Sequence, residues 1–548
     1  MFKRIFGGFA VIILSIGLTA QTAAARDWYR AESAHFIVYS EDTEQNTREF
    51  VQDLERLDEV LRFMTGVGSD EALPESTKVT VFRYGQTSDM AVLAVGNRNA
   101  GIGGFFIPRA SGAVAFVPRQ FNVRRGRSRQ QDVDSEMLLE PRGILFHEYV
   151  HYFMFQHRDA PYPLWYSEGY AELYSNLRFE EDGFVIGDVP TWRSASLATI
   201  PIDLEATFDP PRERDRYTTG RTYAHGWLIA SHLDLNPDRR GQMATYIQAI
   251  VAGHPPMEAA EMAFGDLDVL HEELEEFRQG AARTLRVPYV VEADPPVEIH
   301  RLNEAEEARM RLMINSKAGV DEDEAQRWVR EARRLVESYP NSAAVLLAAT
   351  EAELDVRNYD AVEELAQRVL AIDPESTEAA IYYAEAAFRR SFTDPSQLEV
   401  ARDRFIDANL MENDHAYPLY RYYLTFLFDE NLEEPPEGAR AALEQAFRYA
   451  AFDAGVRSTL VYHLLMENRV AEARVVGAEY LSGNSTRACV TRARFDLFEQ
   501  GDTEPLMEAA RPDHPGEYLD EDAREARREA DREEFEAAAE EYGCEIDD

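Results

Sequence analysis

The residues best suited to chemistry form one short motif, His147-Glu148-Tyr149-Val150-His151. Residues four apart lie on the same face of a helix, so both imidazoles can reach one ion. Neutral imidazole nitrogen is a natural zinc ligand, and Glu148 lies where its carboxylate can take a proton from a water molecule at the metal. The motif therefore predicts a zinc site that includes His147 and His151, with Glu148 as general base.

A helix over 142–157 must carry this motif. Its remaining residues are apolar almost all round, namely Ile144, Leu145, Phe146, Tyr149, Val150, Tyr152, Phe153 and Phe155. That pattern predicts a buried helix, in which two imidazoles and a carboxylate are costly unless they have partners. The burial argues against a chance match.

A catalytic zinc needs a third protein ligand, and two residues compete for this place. His157 stands where the pattern HExxHxxGxxH puts a third histidine, but residue 154 is Met rather than Gly. Without the turn that Gly provides, the helix should continue and carry His157 away from the other two. Glu168 follows a predicted turn over 159–163 and lies on a second predicted helix over 164–176. The simpler interpretation makes Glu168 and Glu172 surface acids one helical turn apart.

The segment Trp165-Tyr166-Ser167-Glu168-Gly169-Tyr170-Ala171-Glu172 favours Glu168. Together with HExxH it resembles the gluzincin clan of zinc metallopeptidases, whose aminopeptidase members carry a closely similar WLNEGFA. The resemblance extends in broad order over residues 27–285 and is strongest to bacterial gluzincin-like domains followed by tetratricopeptide repeats. It implies that Glu168 is the third zinc ligand and that Glu172 orients a zinc-bound histidine.

The same resemblance implies a donor for the oxyanion, supplied by a Y-x-x-G segment on a later helix. Tyr223-Ala224-His225-Gly226 matches that pattern, with Tyr223 as the expected donor and His225 as the alternative. The exopeptidase segment GxMEN of the aminopeptidases is missing, which favours an endopeptidase. A predicted strand pair over 105–117 lies before the metal helix and can pair with an extended substrate.

The first 25 residues have the pattern of a signal peptide. Lys3 and Arg4 precede an apolar run from Ile5 to Leu18, and the small residues Ala23-Ala24-Ala25 follow. We expect an exported protein, periplasmic or secreted, without a stable membrane anchor after cleavage. An uncleaved anchor is the alternative interpretation.

Composition narrows the choice of partners. The chain of 548 residues has 100 acidic and 57 basic residues, a formal charge of −43, which disfavours nucleic acid and anionic lipid. One basic stretch stands out, with Arg119, Arg124, Arg125, Arg127 and Arg129. It is either a solvated loop or a lip that attracts an acidic substrate.

The C-terminal half contains a repeat. Tyr339-Pro340-Asn341 and Asp373-Pro374-Glu375 stand 34 residues apart, with two amphipathic segments between them. This resembles tetratricopeptide repeats, whose stacked helix pairs suit a protein partner. Cys489 and Cys544 are the two cysteines and can pair in an oxidising compartment.

These observations predict an α+β fold in two parts. A gluzincin-type metallopeptidase domain over 26–287, with a small sheet and active-site helices, precedes a linker over 288–298. An all-α helical-repeat domain over 299–548 follows. The expected function is zinc-dependent hydrolysis of a peptide or protein substrate in the cell envelope. The alternative is a non-catalytic protein-binding scaffold with an inactive metallopeptidase-like domain.

Overall fold

A computed structural model describes residues 27–68, 72–100, 102–120, 141–157, 160–210, 215, 217–280, 284–483, 485–512 and 521–546. The predicted signal peptide over 1–25 lies outside these residues, as do the arginines of the basic stretch beyond Arg119. Among the described helices, none combines the length and the apolar character needed to cross a membrane.

Two sheets contain the strands of the described residues. The strands are β1 (Tyr29–Glu32), β2 (Phe36–Ser40), β3 (Val79–Gln86), β4 (Phe105–Ile107), β5 (Val114–Gln120), β6 (Arg178–Glu180), β7 (Gly183–Ile186), β8 (Leu285–Val287) and β9 (Glu298–Arg301). The main sheet has the order β4-β5-β3-β2-β1-β9, with β3 parallel to both β2 and β5 and the other pairs antiparallel. The antiparallel pair β4–β5 confirms the strand pair predicted over 105–117.

The helices of the first half are α1 (Glu44–Thr65), α2 (Thr87–Val95), α3 (Pro141–His157), α4 (Leu164–Ser175), α5 (Ser194–Thr199), α6 (Leu204–Phe208), α7 (Thr218–Gly220), α8 (Gly226–Leu235), α9 (Gln242–Val251), α10 (Pro256–Phe264) and α11 (Leu267–Gln279). Helices α3 and α4 match the two segments predicted to carry the metal ligands. Helix α1 is capped at Thr43, whose side chain accepts a hydrogen bond from the Asn46 amide, and it ends at Gly66 with φ 72°.

The main sheet separates two apolar cores because successive side chains of a strand point to opposite faces. Phe36, Val38 and Val81 join the core that contains α1, α3 and α4. Ile37, Tyr39, Phe82 and Phe116 face the other way and pack with Leu302, Met310, Met313 and Ile314. Both faces of the sheet are therefore buried.

The helices of the second half are α12 (Glu304–Ala318), α13 (Glu322–Ser338), α14 (Ala343–Asp355), α15 (Tyr359–Ile372), α16 (Thr377–Arg390), α17 (Gln397–Met411), α18 (Ala416–Leu427), α19 (Glu437–Tyr449), α20 (Ala454–Met466), α21 (Val470–Val476), α22 (Ala478–Leu481), α23 (Thr486–Glu499), α24 (Glu504–Ala510) and α25 (Glu521–Glu541). Consecutive helices from α13 to α20 pack against each other. The two Pro-containing turns of the predicted repeat follow α13 and α15. An array of stacked helices is therefore confirmed. A disulfide joins Cys489 in α23 to Cys544 beyond α25.

The predicted boundary between linker and helical array falls inside a strand. Strand β9, residues 298–301, pairs with β1 and forms the edge of the main sheet. Helix α12 then covers one face of that sheet through Met310, Met313 and Ile314. The helical array therefore begins after β9 and is continuous with the core of the first half.

Candidate metal centre

Three predicted ligands converge at one point. Glu168 Oε2 lies 3.0 Å from His147 Nε2 and 3.4 Å from His151 Nε2, and the two imidazole nitrogens are 3.2 Å apart. Ligand atoms at tetrahedral corners, 2.0–2.1 Å from zinc, are about 3.3 Å apart. The triangle therefore has the dimensions that a tetrahedral zinc ion requires, and the residues fit the metal.

Two helices build this triangle. His147 and His151 are one turn apart on α3, and Glu168 lies in the second turn of α4, which begins directly after Pro163. His157 lies at the end of the same uninterrupted helix, where its ring contacts Phe153 with centroids 4.5 Å apart. Among the described residues the cluster contains Glu168 as its third member and not His157.

The remaining ring nitrogens of the two histidines have polar neighbours. His151 Nδ1 lies 3.1 Å from Ser167 Oγ, a hydrogen-bonding distance. His147 Nδ1 lies 3.9 Å from Glu172 Oε1, which is too long for a hydrogen bond but close enough for attraction between charges. Groups that contact the second nitrogen set the tautomer and orientation of a metal-binding histidine. The sequence motif did not indicate Ser167, although its place directly before Glu168 was a usable signal.

Glu172 is buried, with 1% of its surface exposed. Its Oε1 accepts hydrogen bonds from Arg193 Nε at 2.8 Å and Arg193 Nη2 at 2.6 Å, and its Oε2 accepts one from Trp192 Nε1 at 2.9 Å. The carboxylate is thus fixed by a segment that follows β7 in the chain. Arg193 and Trp192 are further residues of the site that the sequence motif did not indicate.

The charges of the site favour a positive charge where the ligands converge. Burial alone would raise the pKa of Glu168, but hydrogen bonds to His147 and His151 hold the pKa at about 2. Burial alone would lower the pKa of His147, but the hydrogen bond to Glu168 and the charge of Glu172 raise the pKa above its ordinary value. A divalent cation satisfies the same preference.

Glu148 directly follows His147 on α3. Burial raises the pKa of its carboxyl, and the nearby His147 and His151 oppose that shift. A carboxyl group with a raised pKa is better suited to accept and return a proton near neutral pH. This property matches the predicted role of a general base.

Tyr223 lies beside the cluster on a single turn of π-helix, Arg221–His225, which leads into α8. Its ring stacks on His147 with centroids 6.2 Å apart, and the Arg193 guanidinium lies 4.4 Å from the ring centre. Burial and the charge of Glu168 raise the pKa of Tyr223 to about 12. The phenol therefore stays protonated and can donate a hydrogen bond.

His225, the alternative donor, is fully buried in different surroundings. Burial lowers its pKa to about 4, and the charged residues nearest to it include Arg278, Arg221 and Asp203 rather than members of the cluster. The two residues are two positions apart on one helical turn, where side chains point to different sides, so both cannot face the cluster. The structure brings Tyr223 to the site and does not bring His225.

Two glycines let the Tyr223 segment approach α4. A Cβ at Gly169 would lie 2.2 Å from the carbonyl carbon and oxygen of Gly226, and a Cβ at Gly226 would lie 2.3 Å from the carbonyl oxygen of Trp165. Both contacts are with backbone atoms, which cannot rotate away. The Gly in each of the two short motifs therefore keeps Glu168 and Tyr223 near each other.

A buried polar network anchors the other side of the metal helix. Tyr149 donates a 2.6 Å hydrogen bond to Asp58 Oδ1, and Arg62 Nε donates one of the same length to Asp58 Oδ2. His35 Nδ1 lies 2.7 Å from Glu55 in the same region. Since Tyr149 lies inside the HExxH motif, this network ties α3 to α1 and fixes the rotation of the helix that carries His147 and His151.

Comparison with known proteins adds two weak likenesses. No protein-family model matches the chain, and a comparison with curated proteins found no match. A crystal structure of MamA is 14% identical, covers 32% of this chain and 91% of its own, and has a TM-score of 0.23. A structure of pilF from Pseudomonas aeruginosa is 15% identical, covers 38% of this chain and 90% of its own, and has a TM-score of 0.30. Such low values carry no argument about function, which must be inferred from the cluster itself.

Proposed function

We propose that this protein is a zinc metallopeptidase whose metal is held by His147, His151 and Glu168. The observation that carries the proposal is the triangle of three ligand atoms with edges of 3.0, 3.2 and 3.4 Å. When bound, zinc would polarise the carbonyl of the substrate and make water acidic enough to be activated at neutral pH.

Three side chains of the protein have roles in the reaction besides metal binding. Glu148 accepts the proton of the attacking water and returns it to the leaving amine, a role suited to its raised pKa. Tyr223 donates a hydrogen bond to the oxygen on which negative charge develops. Arg193 holds the Tyr223 ring on one side and Glu172 on the other, so it positions both.

A peptide is the substrate class that the surroundings favour. Strand β4 lies at the edge of the main sheet, and its Phe106 ring contacts Tyr152 of the metal helix with centroids 5.3 Å apart. An extended peptide can add to such an edge through backbone hydrogen bonds. The missing exopeptidase segment favours cleavage within a chain, and the signal-peptide pattern favours a reaction in the cell envelope.

Metal content tests the proposal directly. Purified wild-type protein should hold about one zinc per chain, as Zn(His)₂(Glu) sites with an open position do, and Glu168→Ala should lose it. Glu258→Gln is a matched control, because the exposed Glu258 side chain also lies against a histidine, with His254 at 2.8 Å, but no third ligand joins this pair among the described residues. A folded wild-type protein that holds no metal and rejects added zinc would overturn the proposal.

Glu148→Gln separates the enzyme from the non-catalytic scaffold. This variant keeps all three ligands, so it should retain zinc while losing hydrolysis of a quenched, fluorescently labelled denatured casein. Wild-type protein that binds zinc but matches Glu148→Gln in this assay and in its cellular role would favour the scaffold.

A further inference from the structure

The turn between β4 and β5 reaches into the helical array. It is a tight turn, in which the Gly112 amide donates a 3.1 Å hydrogen bond to the Arg109 carbonyl. Ala110, in the middle of the turn, is 6% exposed and belongs to the same apolar core as residues of α16 to α20. The Arg109 guanidinium donates a 2.6 Å hydrogen bond to the carbonyl of Lys317, in the last turn of α12. The end of the edge strand is therefore held by helices of the second half as well as by its own sheet.

Asp453, in the turn between α19 and α20, has two separate partners. Its Oδ1 accepts a 2.9 Å hydrogen bond from the Val456 amide and so caps α20. Its Oδ2 accepts a 2.7 Å hydrogen bond from the Ala110 amide. Since Ala110 is buried, losing this acceptor would leave its amide without a partner, which is costly. One carboxylate thus joins the helical array to the end of β4.

The same segment of the array also holds the far end of the metal helix. Gln156 Nε2 of α3 donates a 3.0 Å hydrogen bond to the Tyr449 carbonyl. The Phe452 ring lies 5.2 Å from the Tyr152 ring of α3, measured between centroids, and Tyr152 in turn contacts Phe106 of β4 at 5.3 Å. The array is therefore in contact with both the strand and the helix that would flank a bound peptide.

We propose that Asp453 is a positioning residue for peptide binding, which holds edge strand β4 in place beside the metal helix through the Ala110 amide. The proposal rests on the proposed peptidase function, in which an extended peptide pairs with β4. The metal ligands and Glu148 lie on α3 and α4 rather than on β4. A displaced strand should therefore weaken the binding of peptide and leave the metal and the chemical step unchanged.

Steady-state hydrolysis of the quenched, fluorescently labelled casein by the full-length, zinc-loaded protein tests the proposal. Asp453→Asn is the variant. Asparagine caps a helix as well as aspartate does, but it has only one side-chain oxygen, so the Ala110 amide should lose its acceptor. KM should rise about fivefold for each peptide hydrogen bond that the displaced strand loses. The values of kcat and zinc content should stay near those of the wild type.

Asp321→Asn is the matched control. The exposed Asp321 side chain caps α13 of the same array, through the Glu324 amide at 2.8 Å. Its KM should equal that of the wild type. An unchanged KM in Asp453→Asn, an equal rise in both variants, or a fall in kcat alone would overturn the positioning role. Wild-type protein that holds zinc but cleaves no casein would instead overturn the peptidase function, and this proposal with it.

Ala110→Pro provides a second test, from the other side of the same hydrogen bond, if Asp453→Asn does not fold. Proline has no amide hydrogen to donate. Ala110 is the second residue of the turn from Arg109 to Gly112, a position at which proline is favoured. KM should again rise at unchanged zinc content, and a wild-type KM in this variant would contradict the proposal.

Discussion

The contact between Gly226 and Trp165 makes a sharp prediction about how the site is assembled. A Cβ at position 226 would lie 2.3 Å from the Trp165 carbonyl oxygen, whereas ordinary contacts begin at 3.4 Å. The obstacle is backbone, so the Gly226→Ala variant must separate the Tyr223 segment from α4 by about 1.1 Å. Overpacking of this kind typically costs about 1–3 kcal/mol of stability.

The expected consequences differ between stability, metal binding and catalysis. All three metal ligands lie on α3 and α4, so Gly226→Ala should retain zinc. Tyr223 lies three residues before position 226 and should move with it. Since a displacement of about 1 Å at a reacting centre can cost about 100-fold in rate, hydrolysis should fall far more than metal content.

Urea unfolding followed by tryptophan fluorescence measures the change in the free energy of unfolding, because Trp165 and Trp227 flank the contact and both are buried. Gly438→Ala is the matched control: its Cβ in α19 would meet no heavy atom within 4 Å, and alanine favours a helix. Only Gly226→Ala should lower the unfolding midpoint. Equal unfolding midpoints in the two variants would refute this prediction, as would loss of zinc from a Gly226→Ala protein that is still folded.

Three further predictions concern other parts of the molecule. Ser167→Ala should weaken zinc binding about 10–100-fold in a chelator titration, because it removes the neighbour of His151 Nδ1; unchanged affinity would exclude an orienting role. Reduction of the Cys489–Cys544 bond opens a loop of 55 residues and should lower the stability of the C-terminal helices by about 4 kcal/mol; identical proteolysis with and without reductant would contradict this. Asp355, with a pKa of about 7, holds a proton in the folded chain at pH values where the unfolded chain has lost it, so stability should fall between about pH 4 and pH 7 by up to about 4 kcal/mol. Asp355→Asn should remove this dependence in denaturation series, and an unchanged pH profile would refute it.

Local sequence signals were sufficient to predict that His147, His151 and Glu168 come together. The two histidines on α3 are one helical turn apart, and Pro163 marks the start of α4. Such signals depend on residues that are close in the chain. The pairing of β4 with β5 was predictable for the same reason.

Contacts between distant parts of the chain were not predictable in this way. Asp58 and Tyr149 are 91 residues apart, and no local pattern indicates that they meet. The π turn at 221–225 is a second case, since the pattern Y-x-x-G specifies neither its width nor which side chain it directs to the cluster. Strand β9 is a third, because Glu298-Ile299-His300-Arg301 is polar and becomes a strand through its pairing with β1.

The junction of the two halves is more than a linker. Leu302, Met310, Met313 and Ile314 come from the C-terminal half, yet they cover the sheet that carries α3 on its other face. Burying a side chain of this size contributes about 1.5–3 kcal/mol, so the four together contribute about 6–12 kcal/mol as an upper estimate. That range is comparable to the whole stability of a typical domain, about 5–15 kcal/mol. The sheet behind the metal helix therefore depends on α12, and the helical array is part of the structure that holds the site in place.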